Sequence, residues 1–323
     1  MQSLTRMVSE RSFETRGVLK ILAILVGLLV LASVVSQGVF LQPRNLVNLI
    51  YQNALLIVIA MGQLLVIVTG GIDLSVGAVL AVSSVLVVLY QDFGLAAAFG
   101  FALVVSVVFG LVNGFLVTYI RLPAFVVTLA TMQIGYSVSK ILSGVGAAYS
   151  GFQGAAIPTS LTEFYKAAFL GIPYPLLICL ALMVILSLYL RTSIGHFIYS
   201  VGGNERASFL SGIPVRVVKM AVYVISAVLC CIGGVLFVAR VGMGDPQAGT
   251  WVPLDSIAAV SIGGASLSSG GVGTVVGTLI GVFILSALNN VMNLLGVPPT
   301  FQPAIKGIVI LLAVYLNSAR KQN

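Results

Sequence analysis

One histidine, three cysteines and eight acidic residues are all that this 323-residue chain offers for nucleophilic, acid–base or metal chemistry. His196 is the single imidazole, so no credible Ser/His/Asp relay can be assembled; just past Arg191, it reads as an interfacial residue rather than a base or ligand. Cys179, Cys230 and Cys231 lie in apolar runs without CxxC or Cys/His spacing, and adjacent cysteines on a helix point in different directions. They read as small core hydrophobes. No metal site is expected. The phosphate-binding pattern GxxxxGK[ST] is absent, and Gly271-Val272-Gly273 joins two apolar segments rather than a strand and a helix, which makes it a tight turn.

Carboxylates inside apolar segments would serve proton or sodium relay. Glu10, Glu14, Asp92, Glu163 and Glu205 fall in predicted loops or tails, and Asp245 and Asp255 in or at the end of a predicted outer loop. Asp73, in Gly70-Gly-Ile-Asp-Leu-Ser-Val-Gly77, is the one acid expected deep between two apolar runs. It suits an N-cap for the following helix; contact with a solute and ion coupling are its other possible roles. Neutral amides and hydroxyls can bind hydroxylated solutes without the full cost of burying charge, or simply join helices. Gln63, Asn113, Thr128, Thr131, Gln133, Ser286, Asn289, Asn290, Asn293 and Gln302 are of this kind, and Asn289 and Asn293 share a helix face. The candidates for lining a solute path are Asp73, Asn113, Gln133, Tyr136, Asn289, Asn290 and Asn293.

The remaining chemistry is a polar island, Gly202-Gly203-Asn204-Glu205-Arg206-Ala207-Ser208-Phe209-Leu210-Ser211-Gly212-Ile213, within the polar loop 191–219. Apolar and polar residues interleave there as in a short amphipathic helix from about Asn204 to Ser211. Gly212 supplies a C-terminal stop, and Pro214 cannot continue the helix. Such a helix could lie on a membrane surface or dock into a partner's groove.

The elements that carry these residues are membrane helices. The chain is 59% hydrophobic and 7% charged, with a mean hydropathy of +1.15, whereas soluble domains are about 25% charged. Apolar runs predict ten spans, at 18–36, 47–69, 75–91, 95–119, 124–143, 173–190, 218–239, 254–267, 273–291 and 302–318. The eighth is short and ends in Gly263-Gly264-Ala265-Ser266, so a half-helix or re-entrant segment is open there. The basic N-terminus with its first apolar run reads as a retained anchor rather than a cleaved signal. With the N-terminus inside, eleven Lys and Arg fall on the cytoplasmic side and five outside. That places both termini (1–17 and 319–323) and the loop 191–219 in the cytoplasm, around a single membrane domain over 18–318. The net charge of +8 is used in this asymmetry, and no nucleic-acid partner is implied. The GxxxG pairs Gly110/Gly114, Gly273/Gly277 and Gly277/Gly281 predict close helix packing, within the chain more readily than between subunits.

Several segments carry a resemblance over almost the full length. They are Gly70–Gly77, Ala124-Phe-Val-Val-Thr-Leu129, Gly202-Gly-Asn-Glu205 with Leu210-Ser-Gly-Ile213, Ala239-Arg240, Leu254-Asp-Ser-Ile-Ala-Ala-Val260, Ile262-Gly-Gly-Ala-Ser-Leu267, and Gly277-Thr-Leu-Ile-Gly281 with Leu288-Asn-Asn290. On these the chain resembles the permease subunits of ribose-type bacterial ABC importers. The resemblance implies an all-α fold like that of the large import permeases, with about ten helices. It also implies a second permease copy (a homodimer is expected), a cytosolic ATPase, and a periplasmic or extracellular protein that delivers the sugar. ATP and magnesium would belong to the ATPase, leaving no cofactor and no catalytic residue in this chain. The segment holding Gly202, Gly203, Asn204, Glu205, Arg206, Ser208, Phe209, Leu210 and Gly212 would be the coupling helix that fits a cleft in that ATPase.

The chain departs from the family pattern at Tyr136-Ser137, where Arg-Gly is usual, at Pro253, where Glu is common, and at Gly271-Val272-Gly273, where a basic residue is common. Tyr136 and Pro253 fall toward the predicted outer side, so these departures bear on which solute is carried, not on import of a sugar-like one. The alternative is a stand-alone secondary carrier, against which the scarcity of carboxylates within spans argues.

Overall fold

The computed structural model describes residues 2–144 and 159–319. In chain order its helices are α1 (Gln2–Val35), α2 (Pro43–Val68), α3 (Val76–Leu89), α4 (Leu95–Thr118), α5 (Ala124–Leu142), α6 (Thr159–Lys166), α7 (Tyr174–Leu190), α8 (Ser193–Gly203), α9 (Glu205–Leu210), α10 (Val215–Val241), α11 (Val252–Ile262), α12 (Val275–Leu294) and α13 (Gln302–Ala319). A two-residue antiparallel pair, β1 (Ala168–Phe169) and β2 (Ile172–Pro173), is the one sheet among the described residues. Its turn residues Leu170 and Gly171 have φ of 51° and 79°, the positive values a tight two-residue hairpin needs.

Among the described residues, α2, α4, α5, α10 and α12 are long and apolar enough to cross a membrane, and α7 with α8, bent by 76°, would make a sixth. Three apolar stretches are shorter: Ile21–Val35 within α1, α3 and α11. α3 and α11 have 14 and 11 residues. At 1.5 Å per residue they reach about 21 and about 16 Å, less than a hydrocarbon core of about 30 Å. The half-helix reading of 254–267 therefore holds, while 75–91 is shorter than a full span. At the N-terminus, α1 begins at Gln2 and runs unbroken into the first apolar run.

α2 is the axle of the bundle. Its apolar window is 78% buried, against 22% for α4, because α7, α10, α11 and α12 pack around it. Glycines set these distances. A Cβ at Gly62 would come 2.9 Å from Ser226 Cα on α10, one at Gly110 would come 2.7 Å from Val224 Cα, and one at Gly114 3.0 Å from Met220 Cα. On α12, Gly277 lies against the carbonyl of Gly263 and Gly281 against that of Ala259. Gly110, Gly114, Gly277 and Gly281 of the GxxxG pairs therefore serve backbone-to-backbone packing within the chain, whereas Gly273 lies before α12 and meets side chains.

Candidate functional site

The polar island forms the predicted helix. Asn204 caps α9, its Oδ1 accepting the Ala207 N–H at 2.9 Å, which satisfies one of the free donors of the first turn. The other end is a Schellman closure: Gly212, at φ 83°, donates to Phe209 O, and Ile213 donates to Ser208 O. Ser208 faces inward, while Phe209 and Leu210 are 69% and 77% exposed. Arg206 is exposed, and Glu205 pairs with Lys219 of α10 at 2.9 Å.

Gly202 and Gly203 belong to α8, not to the short helix, and their surroundings differ. A Cβ on Gly202 would overlap the carbonyl of Val68 at the end of α2, whereas Gly203 faces open space. Gly271 N donates to the same Val68 carbonyl at 2.8 Å, and Tyr199 of α8 donates its hydroxyl to Gly273 O at 2.9 Å. α8 is therefore seated on the end of α2 and on the connection before α12. Gly271-Val272-Gly273 is part of that connection, as expected, but as a bend and irregular chain that follow a turn at 267–269, and this connection receives α8.

Just past Val68 the chain unwinds through Gly70–Ser75 before α3 starts, and here Asp73 is buried. Its Oδ1 accepts from Ser75 N at 2.9 Å and Ser75 Oγ at 2.6 Å, and its Oδ2 from Ser226 Oγ of α10 at 3.3 Å. Ser75 Oγ accepts from Asn113 Nδ2 of α4 at 2.8 Å, and Asn113 Oδ1 accepts from Thr131 of α5 at 2.7 Å. Thr128 donates to Ile72 O at 3.1 Å. The N-cap expectation is thus refined. Ser75 holds the cap position, and Asp73 closes an Asx-type turn before it while joining α3, α4, α5 and α10 through hydroxyls and one amide.

The other path candidates lie elsewhere. Gln133 is exposed on α5. The Tyr136 hydroxyl is buried without a hydrogen-bond partner, close enough to Gly77 that a Cβ there would come within 2.7 Å of it. Asn290 exchanges two 2.9 Å bonds with Asn45 of α2, Asn293 accepts from Gln302 Nε2 at 2.9 Å, and Asn289 Oδ1 is buried without a partner. These three asparagines sit at the far end of α12 from the connection that receives α8. Asp73 and Asn113 therefore form one network, Tyr136 stands apart from it, and Asn289, Asn290 and Asn293 form a separate group.

Asp255 corrects the sequence reading. It is 5% exposed in the first turn of α11 and accepts from Lys306 Nζ of α13 at 3.1 Å. Because Gly263 lies against Gly277 and Ala259 against Gly281, α11 runs antiparallel to α12. Asp255 then falls roughly ten residues along α12, about 15 Å from its start. This is a buried carboxylate in a part-buried ion pair between two helices, not a loop carboxylate. The signal was present in the sequence, since each charge lies within a predicted apolar segment, and such charges are found in pairs.

Glycine-set helix spacing, half-length helices with an unwound polar junction, and apolar spans define a polytopic membrane protein; among the described residues no group of three metal-ligating side chains occurs. The chain belongs to the family described as branched-chain amino acid transport system / permease component, whose model matches residues 45–314. It is 42% identical over 318 residues to the ribose import permease protein RbsC of Bacillus subtilis (strain 168), covering 93% of this chain and 94% of that protein. The ribose import permease protein RbsC of Escherichia coli (strain K12) is 38% identical, covering 98% and 99%. The xylose transport system permease protein XylH of Haemophilus influenzae is 33% identical, covering 90% and 93%. No solved structure matches. The chain is thus a permease of the sugar ABC importer type and a multi-pass protein of the bacterial cytoplasmic (inner) membrane.

Proposed function

We propose that the chain forms the translocation path of an ATP-driven importer for a neutral, sugar-like solute, and that α9 is where a separate ATPase delivers its work. The observation that carries this reading is the pairing of an exposed, doubly capped helix with a rigid seat. Phe209 and Leu210 project outward, while Gly202, a few residues away, bears on the end of α2 and hence on the Asp73 junction. Motion imposed on α9 would reach the bundle through backbone contacts. ATP and magnesium belong to the ATPase, and this chain needs no cofactor. About ten membrane-embedded helical segments, two of them shorter than a full span, with both termini and the loop 191–219 in the cytoplasm, a homodimer of permeases, and delivery by an external solute-binding protein complete the assembly. The names of the relatives favour a pentose, and the neutral groups of the bundle suit one.

The test is reconstitution with the ATPase and the solute-binding protein, scoring solute-stimulated ATP hydrolysis and uptake together. Glu205→Lys, which sets a second cation against Lys219, and Phe209→Asp should leave membrane assembly normal while uncoupling hydrolysis from uptake. Normal uptake in both variants would remove α9 from the coupling role. ATP-insensitive uptake by the chain alone, abolished by collapsing the ion gradient, would replace the importer reading with that of a secondary carrier.

A further inference from the structure

A cavity of about 800 Å³ opens between α9, the start of α10 and the α4–α5 turn, bounded on its inner side by Gly70 and Gly71. Its cations are Arg121, Arg206, Arg216 and Lys219, with Glu205 the only acid lining it. Glu205 is already paired with Lys219, so three guanidinium groups remain without a carboxylate partner among the described residues. The N-termini of α5 and α10, at Ala124 and Val215, also open on the cavity, and neither has a side-chain cap. Arg121, in the turn before α5, has φ 65°. Apart from Glu205, the charged groups and helix ends of this hollow favour an anion.

A second feature tells which anion. The same two helices also carry an apolar groove of about 370 Å³, lined by Leu111, Val112, Phe115, Leu116 and Met220, on the outer face of α4 rather than the packed face that holds Thr118. The groove follows α4 inward for about 10 Å from Thr118, within a membrane-crossing helix. Arg216 lies over the Tyr119 ring, 5.5 Å from its centroid, and Tyr119 stacks on Phe115 at 5.5 Å. The basic and apolar parts are therefore joined by one aromatic pair. An acidic protein segment would match the cations but would have no use for a groove inside the bilayer.

We propose that this face binds an anionic phospholipid, with its phosphate among Arg121, Arg206 and Arg216 and one acyl chain in the α4–α10 groove. The site depends only on the fold. Its assignment to the inner leaflet rests on the sidedness given under the proposed function.

The full-length chain, in the assembly in which it purifies, is equilibrated with equal amounts of phosphatidylglycerol and phosphatidylcholine, and bound lipid is counted by native mass spectrometry. Phosphatidylglycerol should be retained selectively. Each cation near the surface contributes about 1 kcal/mol toward an anionic lipid, about fivefold in affinity. Arg121→Gln with Arg216→Gln should therefore weaken retention about 25-fold, while Arg121→Lys with Arg216→Lys keeps most of it. Met220→Asp should release the lipid with all four cations in place, which keeps the proposal testable if the glutamine pair fails to fold. Arg191→Gln, outside the cavity, should change nothing. Equal retention of the two lipids, or full retention by the glutamine pair or by Met220→Asp, would overturn the proposal. Displacement by millimolar inorganic phosphate would make this a free-phosphate site instead. Unchanged lipid with lost ATPase binding in the glutamine pair would assign the cavity to the partner.

Discussion

Gly202 and Gly203 are adjacent, have the same side chain and end the same helix, yet only the first is enclosed. An alanine Cβ at Gly202 would overlap the Val68 carbonyl oxygen and come 2.6 Å from Gly271 N and 2.8 Å from Val68 C. All three are backbone atoms, so no side chain can swing aside and α8 itself must lift. Overpacking of this kind costs about 1–3 kcal/mol. The Gly271 N–H to Val68 bond, 2.8 Å in the native protein, would be strained with it, adding about 1 kcal/mol. The total of about 2–4 kcal/mol corresponds to roughly a 30- to 800-fold shift toward an unseated α8. Gly203→Ala meets no atom within 4 Å and should be neutral or stabilising by a few tenths of a kcal/mol at the helix end. Thermal unfolding of the purified protein and ATP-driven uptake should both single out Gly202→Ala, with uptake falling further than folded protein does. Indistinguishable variants in both assays would mean that α8 does not bear on α2 in the working protein, and the route from α9 to the Asp73 junction would have to be abandoned.

Asp255→Asn strands Lys306 inside the bundle and should cost about 3–5 kcal/mol, whereas Asp255→Asn with Lys306→Met should recover most of it, since losing both charges is close to neutral; unfolding of the single and double variants measures the difference. Asn204→Ala removes the cap of α9 at a cost of about 1 kcal/mol, visible as faster amide exchange over 205–210 with the rest of the bundle unchanged. Asn113→Leu deletes both the donor to Ser75 and the acceptor for Thr131, but Ser75 Oγ keeps Asp73 and Thr131 Oγ1 keeps Val127 O, so the cost should be about 0.5–1.5 kcal/mol per bond lost; Thr131→Val in that background should then cost less than it does in the native chain.

Local features were legible in the sequence. The interleaving over Asn204–Leu210, the stop at Gly212 and the shortness of α11 all follow from neighbouring residues, and the structure bears them out. Contacts between distant residues were less so. Asp73 looked like a helix cap because its neighbours are Leu, Ser, Val and Gly, but its second oxygen is satisfied by Ser226, 153 positions away. The three asparagines of α12 were candidates for the solute path together with Asp73. Asn290 and Asn293 are instead bonded to Asn45 and Gln302, on other helices, and no periodicity carries that information. α3 was read as a full span because Tyr90, which ends the helix, continues its apolar run.

α2 illustrates a problem of timing rather than of packing. Hydropathy alone would assign it to lipid, and during synthesis lipid is where it must first reside. α10, which will cover it, is complete only at Val241, roughly 170 residues later, or about 10–35 s at typical elongation rates. In that interval α2 lacks the helix that covers it, and the finished bundle then encloses Gln63 completely, with neither its Nε2 nor its Oε1 finding a hydrogen-bond partner among the described residues. The axle of the permease therefore carries an unpaired amide through assembly and keeps it afterwards.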